Sequence, residues 1–225
     1  MKVELIAVGK VVLLVIAALL PIVNPLSSAP IFLAMTAWCS AEMRRTLAKR
    51  IAVSGFVLLL ASIFIGSHIL AFFGISLPVV QVGGGLLVAA AGWRLLDSRE
   101  EQLVTADATP SDPNEIIRRA FYPLTLPLTV GPGSISIAIT LGANTMRTDL
   151  ALWALTMAVV IAIALIGFAI YFCYRFADNM TRLLGSNGTS IFLRLSSFIL
   201  LCIGVQILWN GASSLLGSLV QTAHR

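Results

Sequence analysis

The residues able to do chemistry in this chain are gathered in two short stretches, PIVNPLSSAP at residues 21–30 and PLTLPLTVGP at residues 123–132. They are two copies of one motif: Pro21, Pro25, Leu26 and Pro30 align with Pro123, Pro127, Leu128 and Pro132 at a constant offset of 102 positions (123 − 21). Proline has no N–H, so in a helical setting Pro25 and Pro30 leave the carbonyls of Pro21 and Leu26 without a donor. Pro127 and Pro132 do the same to Pro123 and Leu128. In hydrocarbon an unsatisfied backbone group is costly, so such backbone must be buried in protein or line a wet cavity. The motifs therefore predict a cavity. Short helices are expected directly after Pro30 and Pro132, over residues 31–36 and 133–140, each opened by its proline.

The N–H groups at those helix starts, at Ile31, Gly133 and Ser134, suit a carboxylate. The freed carbonyls suit an ammonium or, equally, a coupling ion, a proton or Na+. Asn24, Ser27, Ser28, Thr125, Thr129 and Ser134 add side-chain contacts, and Pro25, Pro30, Pro127, Gly131, Pro132 and Gly133 complete the expected substrate-binding set. A blander account of the same residues is that the prolines only kink helices while the Ser and Thr hydroxyls patch the freed backbone. Asn24 separates the two accounts best, because an amide kept in the membrane is costlier than a hydroxyl.

The elements that must carry these motifs are membrane spans. Of 225 residues, 58% are hydrophobic and 11% charged, and the mean hydropathy of +0.97 is that of a polytopic membrane protein. A net charge of +5 would raise nucleic acid as a partner for a soluble chain, but here the basic residues sit in short loops between apolar runs and report topology. Cys39, Cys173 and Cys202 stand singly, without metal-ligand or disulfide spacing, and His68 and His224 are the only histidines. No Asp falls in the spans and Glu4 lies at their edge, so neither a nucleophile–base pair nor a proton relay can be placed. An enzyme, a cofactor and a resident metal are not expected.

The N-terminal run imitates a signal peptide, but apolar sequence continues to about Trp38, so residues 5–36 read as a first span. That is longer than the ~20 residues a straight span needs, and the prolines mark where it breaks. The stretch AWCSAEMRRTLAKR reads as a basic loop, followed by spans over 51–73 and 79–96. The run GGGLLVAAAG at 83–92 has no preceding strand and no following Lys-Ser/Thr, so its glycines are assigned to close helix packing rather than to phosphate. A polar linker over 97–119 divides a first repeat (1–96) from a second (120–225). The second repeat holds the second motif and a span to about Ala143, a fifth span over 150–174, a polar turn RFADNMTRLLGSNGT, and a sixth span over 191–210. Gln81, Gln206 and Asn210 read as interhelical hydrogen-bonding residues.

With the N-terminus outside, Arg44, Arg45, Lys49, Arg50, Arg94, Arg99, Arg118, Arg119, Arg175, Arg182 and Arg194 fall inside, against Lys2, Lys10, Arg147 and Arg225 outside. The linker is then cytoplasmic. Three spans per half put the second half upside down. The expected fold is an all-α polytopic membrane protein, six transmembrane segments forming two inverted three-helix repeats with proline-interrupted helices. Many secondary transporters use that arrangement, with substrate bound between the repeats.

Four stretches resemble the MarC family of bacterial and archaeal inner-membrane proteins: NPLSSAPIF (24–32), FGISLPVVQVGGGLLV (73–88), PLTLPLTVGPGSIS (123–136) and RLSSFILLCIGVQ (194–206). The likeness covers nearly the whole chain, departing locally at Gln81 and Ser196. It implies a multi-pass protein of the inner membrane. It also implies transport, since the family is classed with neutral amino acid transporters while its name alludes to antibiotic resistance. The function expected is secondary transport of a small zwitterion such as glycine, alanine or serine. The alternatives are an exporter of drugs or metabolites, which would want aromatic walls such as Phe32, Phe121 and Tyr122 could give, and a non-transporting membrane scaffold.

Overall fold

A computed structural model describes residues 2–37, 39–97, 120–145 and 151–223, and these are helical apart from short connections. The helices are α1 (Lys2–Val23), α2 (Pro25–Met35), α3 (Ala41–Phe72), α4 (Leu77–Asp97), α5 (Ala120–Thr129), whose turns are broken by non-helical backbone at Tyr122 and Leu126, α6 (Pro132–Thr145), α7 (Leu152–Arg175) and α8 (Ala177–Ala223). The expected linker lies outside the described residues beyond Asp97, as does most of the turn before α7. Five segments are long and apolar enough to cross a membrane, with α1 and α2 together supplying one over Ile6–Met35. A sixth is made if α5 and α6, bent by 68° where they meet, are one span.

Two expected loops are helical instead. The basic stretch before the second span belongs to α3, because Ser40 caps the helix by accepting the Met43 N–H at 3.2 Å and Glu42 occupies the positive first turn. Arg44, Arg45, Lys49 and Arg50 therefore ride on the first turns of α3. The polar turn after the fifth span is also largely helix, interrupted at Phe176, where α7 ends, and at Gly185, at φ 64° and ψ 179°, a conformation open essentially to glycine. Beyond it the membrane arm of α8 spans Gly188–Gly217.

The core is built from α1, α3 and α7, whose Val15, Leu19, Leu47, Ile51, Leu59, Ile63, Ile163, Ile166 and Ile170 are fully buried. Large apolar residues on the outer faces, among them Leu13, Val57, Phe168 and Phe172, are exposed, as lipid-facing surfaces should be. Helix α3 packs on α6 and α7 packs on α2; α1 packs on α7 and α5 on α3; α4 packs on α6 and α8 on α2; α3 also meets α7, and α4 meets α8.

Among the described residues the α4–α8 contact is the most extensive between two helices, and glycine makes it possible. Gly85 faces the backbone of Leu208, Gly92 that of Leu201, and Gly204 that of Ala89, which sets the two helices antiparallel. A Cβ on Gly92 would stand 2.6 Å from the Leu201 nitrogen and 2.9 Å from the Ser197 oxygen, too near for the helices to keep their spacing. The glycine run is thus a packing surface on Gly84, Gly85 and Gly92, whereas Gly83 faces open space. Gln206 and Asn210 bond to each other along α8 at 2.9 Å on its exposed face, not between helices. They stand one helical turn apart, where an intrahelical pair needs no partner helix.

Candidate functional site

In both motifs the residue before the middle proline leaves the helical region, because the proline ring crowds it. In the first this is Asn24, at φ 42° and ψ 60°, a left-handed conformation that asparagine tolerates better than most residues. In the second it is Leu126, at φ −108° and ψ 124°, 102 positions on. Tyr122 before Pro123 is extended likewise, and both of these X-Pro bonds are cis.

The first short helix starts earlier than expected. Pro25 takes the first position of α2, where a missing N–H costs little, so Pro30 falls inside the helix and Ile31 is no helix start. The second short helix does begin at Pro132 and runs on to Thr145. Gly142 therefore lies within it, against the Ile63 carbonyl of α3, rather than beyond it.

The hydroxyls of the motifs are committed to backbone. Ser28 Oγ donates to the Asn24 carbonyl at 3.1 Å, Thr125 Oγ1 to Ala120 at 2.7 Å, Thr129 Oγ1 to Leu124 at 2.7 Å and Ser134 Oγ to Gly131 at 2.9 Å. This is the patching that broken helices require. Ser27 is the exception: its side chain is 5% exposed, and its Oγ finds no hydrogen-bond partner among the described residues.

The two motifs meet around a cavity of about 460 Å³. Asn24, Ser27, Ser28, Pro127, Thr129, Gly131, Pro132, Gly133 and Ser134 all line it, with apolar walls from Ile22, Val23, Ile31, Leu87, Val88, Leu95, Leu128 and Leu200. Pro25, Pro30 and Thr125 do not line it; Pro25 and Thr125 are buried in the scaffold behind. Gly133 is buried against Val88 of α4, so α6 presents its N-terminus to the cavity only because no Cβ intervenes.

Two residues at the site carried no motif signal. Tyr174, in the last turn of α7, is buried with its ring stacked on Phe32 at a centroid separation of 4.5 Å. Its hydroxyl lies 2.7 Å from Thr129 Oγ1, with Ser28 beside it, so one phenol joins α2 and α5. Thr129 has a single hydroxyl proton and gives it to Leu124; Tyr174 must therefore be the donor to Thr129. The other is Arg94, which lines the cavity from the last turn of α4 and which sequence reasoning counted only as a topology marker. Below Tyr174 a smaller pocket of about 170 Å³ is lined by Arg44, Arg45, Arg175 and Asp178, with Arg44 and Asp178 paired at 2.7 Å.

Among known proteins, the model of the MarC family integral membrane proteins matches residues 9–216. The inner membrane protein MarC of Escherichia coli O1:K1 is 31% identical over 204 residues, covering 87% of this chain and 91% of the relative, and that of strain UTI89 gives the same figures. The K12 protein of the same name is 30% identical over the same span. No solved structure matches. A match over nearly the entire chain, on an all-helical bundle whose two proline motifs face one cavity, makes this protein a member of the MarC family, a multi-pass protein of the bacterial inner membrane.

Proposed function

We propose that the protein is a secondary transporter of small neutral amino acids, not an enzyme, and that its substrate sits in the cavity between the two broken helices. The observation that carries this reading is the convergence of two motifs, 102 residues apart in sequence, on one cavity whose largely apolar wall holds polar side chains from both. A kink alone would need neither copy to face the other. The volume of about 460 Å³ has room for glycine, alanine or serine with water.

The packing supports an inverted repeat. If α1, α2, α3 and α4 exchange places with α5, α6, α7 and α8, then α3·α6 becomes α7·α2, α1·α7 becomes α5·α3, and α4·α6 becomes α8·α2. The pairs α3·α7 and α4·α8 map onto themselves. Such an exchange is what a pseudo-two-fold axis would impose, and an odd number of spans per half places that axis in the membrane plane. Residues 1–96 and 120–225 would then be the two halves, joined by a cytoplasmic linker, with both termini outside.

A drug exporter is less well served by this cavity. Among the described residues none that lines it is aromatic, Phe32 is occupied by its stack on Tyr174, and Phe121 and Tyr122 are not part of the wall. Uptake of labelled glycine, alanine and serine into proteoliposomes, with proton and Na+ gradients imposed in turn, tests the proposal. Accumulation that Ser27→Ala and Ser134→Ala reduce is expected. No flux of any of the three under any gradient would leave the scaffold reading standing instead.

A further inference from the structure

Away from the cavity between the motifs, a second pocket lies where α7 ends, and we propose that it binds the phosphate of an acidic membrane lipid whose acyl chain lies along the aromatic face of α7. The pocket, of about 170 Å³, is lined by Arg44, Arg45, Arg175, Phe176, Asp178 and Asn179 among others. Its charges do not balance. Asp178 is the one carboxylate among the lining residues, and Arg44 already takes it at 2.7 Å. Two guanidinium groups are left in surplus. Arg45 is exposed and meets no carboxylate among the described residues. Arg175 donates to the neutral Tyr171 hydroxyl at 2.6 Å and rests on the Tyr171 and Phe176 rings, which leaves its charge unopposed. Guanidinium groups present paired N–H donors that match phosphate oxygens, and the Asn179 amide adds another donor at the same wall.

The depth of the pocket is that of lipid phosphates. Arg175 is the last residue of α7, a 24-residue apolar helix long enough to cross a membrane. Arg45 stands six residues (51 − 45) before Ile51, where the apolar run of α3 begins, hence about 9 Å beyond that run along the helix axis. Head groups fill roughly the 5–8 Å outside each side of the hydrocarbon core, and arginine stems bend toward that layer. Beside the pocket the surface turns from charged to aromatic. The Phe176 ring lies 4.8 Å from that of Phe172, which lies 6.2 Å from that of Phe168. Phe168 and Phe172 are 63% and 50% exposed, so the stripe they form down α7 is open to lipid. An acyl chain laid on that stripe adds apolar contact to the head-group contact, which a soluble phosphate cannot do. A zwitterionic head group would bring its ammonium beside Arg45 and Arg175, so an acidic one is preferred. None of this depends on what the cavity between the motifs carries.

The test is the unfolding midpoint of the full chain, purified in a neutral detergent, against added phosphatidylglycerol, phosphatidylethanolamine or inorganic phosphate. Phosphatidylglycerol is expected to raise the midpoint saturably, by roughly 5–10 °C at a hundredfold excess over its Kd. Phosphatidylethanolamine should do less and inorganic phosphate nothing at the same phosphate concentration. The Arg45→Gln/Arg175→Gln variant should need about tenfold or more phosphatidylglycerol for half the effect, as the loss of charge-assisted contacts implies. Lys49→Gln/Arg50→Gln, which removes the same charge from α3 outside this pocket, should leave the response unchanged. Each variant is compared with its own lipid-free midpoint, so a change in basal stability does not enter. The proposal is overturned if phosphatidylglycerol does not shift the midpoint, or if the two double variants respond alike. An equal shift from inorganic phosphate would also overturn it, since the site would then be one for a soluble anion.

Discussion

The Tyr174–Thr129 contact fixes the floor of the cavity, and removing it in two ways gives a worked test of how the broken helices are held. Tyr174→Phe deletes the donor but leaves Thr129 still bonded to the Leu124 carbonyl, so one net hydrogen bond is lost, about 1 kcal/mol. The ring and its stack on Phe32 remain. Thr129→Val keeps the shape but strands the buried Leu124 carbonyl, at roughly 1–3 kcal/mol, and takes Thr129 from the Tyr174 hydroxyl, at about 1 kcal/mol more, leaving it Ser28. For a chain of this size 1 kcal/mol moves the unfolding midpoint by roughly 2–4 °C. Tyr174→Phe should therefore lower it by a few degrees and Thr129→Val by at least twice as much. In the double variant the tyrosine hydroxyl has already lost Thr129 when it is removed, so Tyr174→Phe should cost less in the Thr129→Val background than it does alone. Strict additivity of the two losses would refute the assigned bond and with it the view that α7 clamps the second motif through a phenol.

Further perturbations separate packing from function. Within the glycine run, Gly83→Ala should be neutral or stabilising by up to about 1 kcal/mol, since its Cβ enters open space and alanine favours the helix, whereas Gly85→Ala should cost roughly 1–3 kcal/mol against α8; equal effects in thermal unfolding would contradict the packing assignment. Asn24→Ala should cost about 2 kcal/mol, because a left-handed backbone and a lost cap act together, while Asn24→Gly should cost a few tenths; if the proposed uptake is seen with the parent, a folded Asn24→Gly protein lacking it would place the amide on the substrate. Burial pushes the Cys39 thiol up, against a smaller lowering by Arg44, so Cys39 should resist alkylation at neutral pH. Because the folded state holds that proton more tightly than the unfolded one, its contribution to stability is present below the ordinary thiol range and is lost as pH rises through the raised value, which an alkaline unfolding series would show.

What could be read from the sequence was whatever rests on backbone chemistry. Proline dictates where a helix can start or must bend, so the breaks near Asn24 and Leu126 and the cavity lined by both motifs followed from the prolines alone. Helix starts were less legible. Whether Pro25 or Pro30 opens the short helix depends on whether Asn24 can turn left-handed and hold the Ser27 N–H, a choice the proline spacing leaves open. The basic segment before the second span looked like a loop because hydropathy marks the apolar run and not the helix, which Ser40 caps about ten residues before that run. Tyr174 and Arg94 could not be found at all. Tyr174 is brought to the second motif and Arg94 to the cavity by the packing of helices distant in sequence, and a lone tyrosine or arginine at a span end has a commoner explanation at the membrane interface.

The two motif copies have come to do different work, and the difference lies in how each helix start is filled. In the first, the donors at the beginning of α2 are used within the motif: the Ser27 N–H reaches Asn24 Oδ1 at 3.4 Å and the Ser28 N–H reaches the Asn24 carbonyl. What that copy offers the cavity is side chain, the Ser27 hydroxyl above all. The second copy has glycine at 131 and 133 where the first has Ala29 and Ile31, and it bends by 68° between α5 and α6. It has no capping side chain like Asn24, and its Gly133 admits no Cβ without striking Val88, so what it offers is the bare N-terminus of α6. A duplicated element thus supplies a hydroxyl from one half and a helix start from the other. A ligand that needs both cannot be released by moving either half alone without breaking contacts to the other. If the halves exchange under the proposed in-plane axis, that asymmetry would let one bound molecule sense the motion of both.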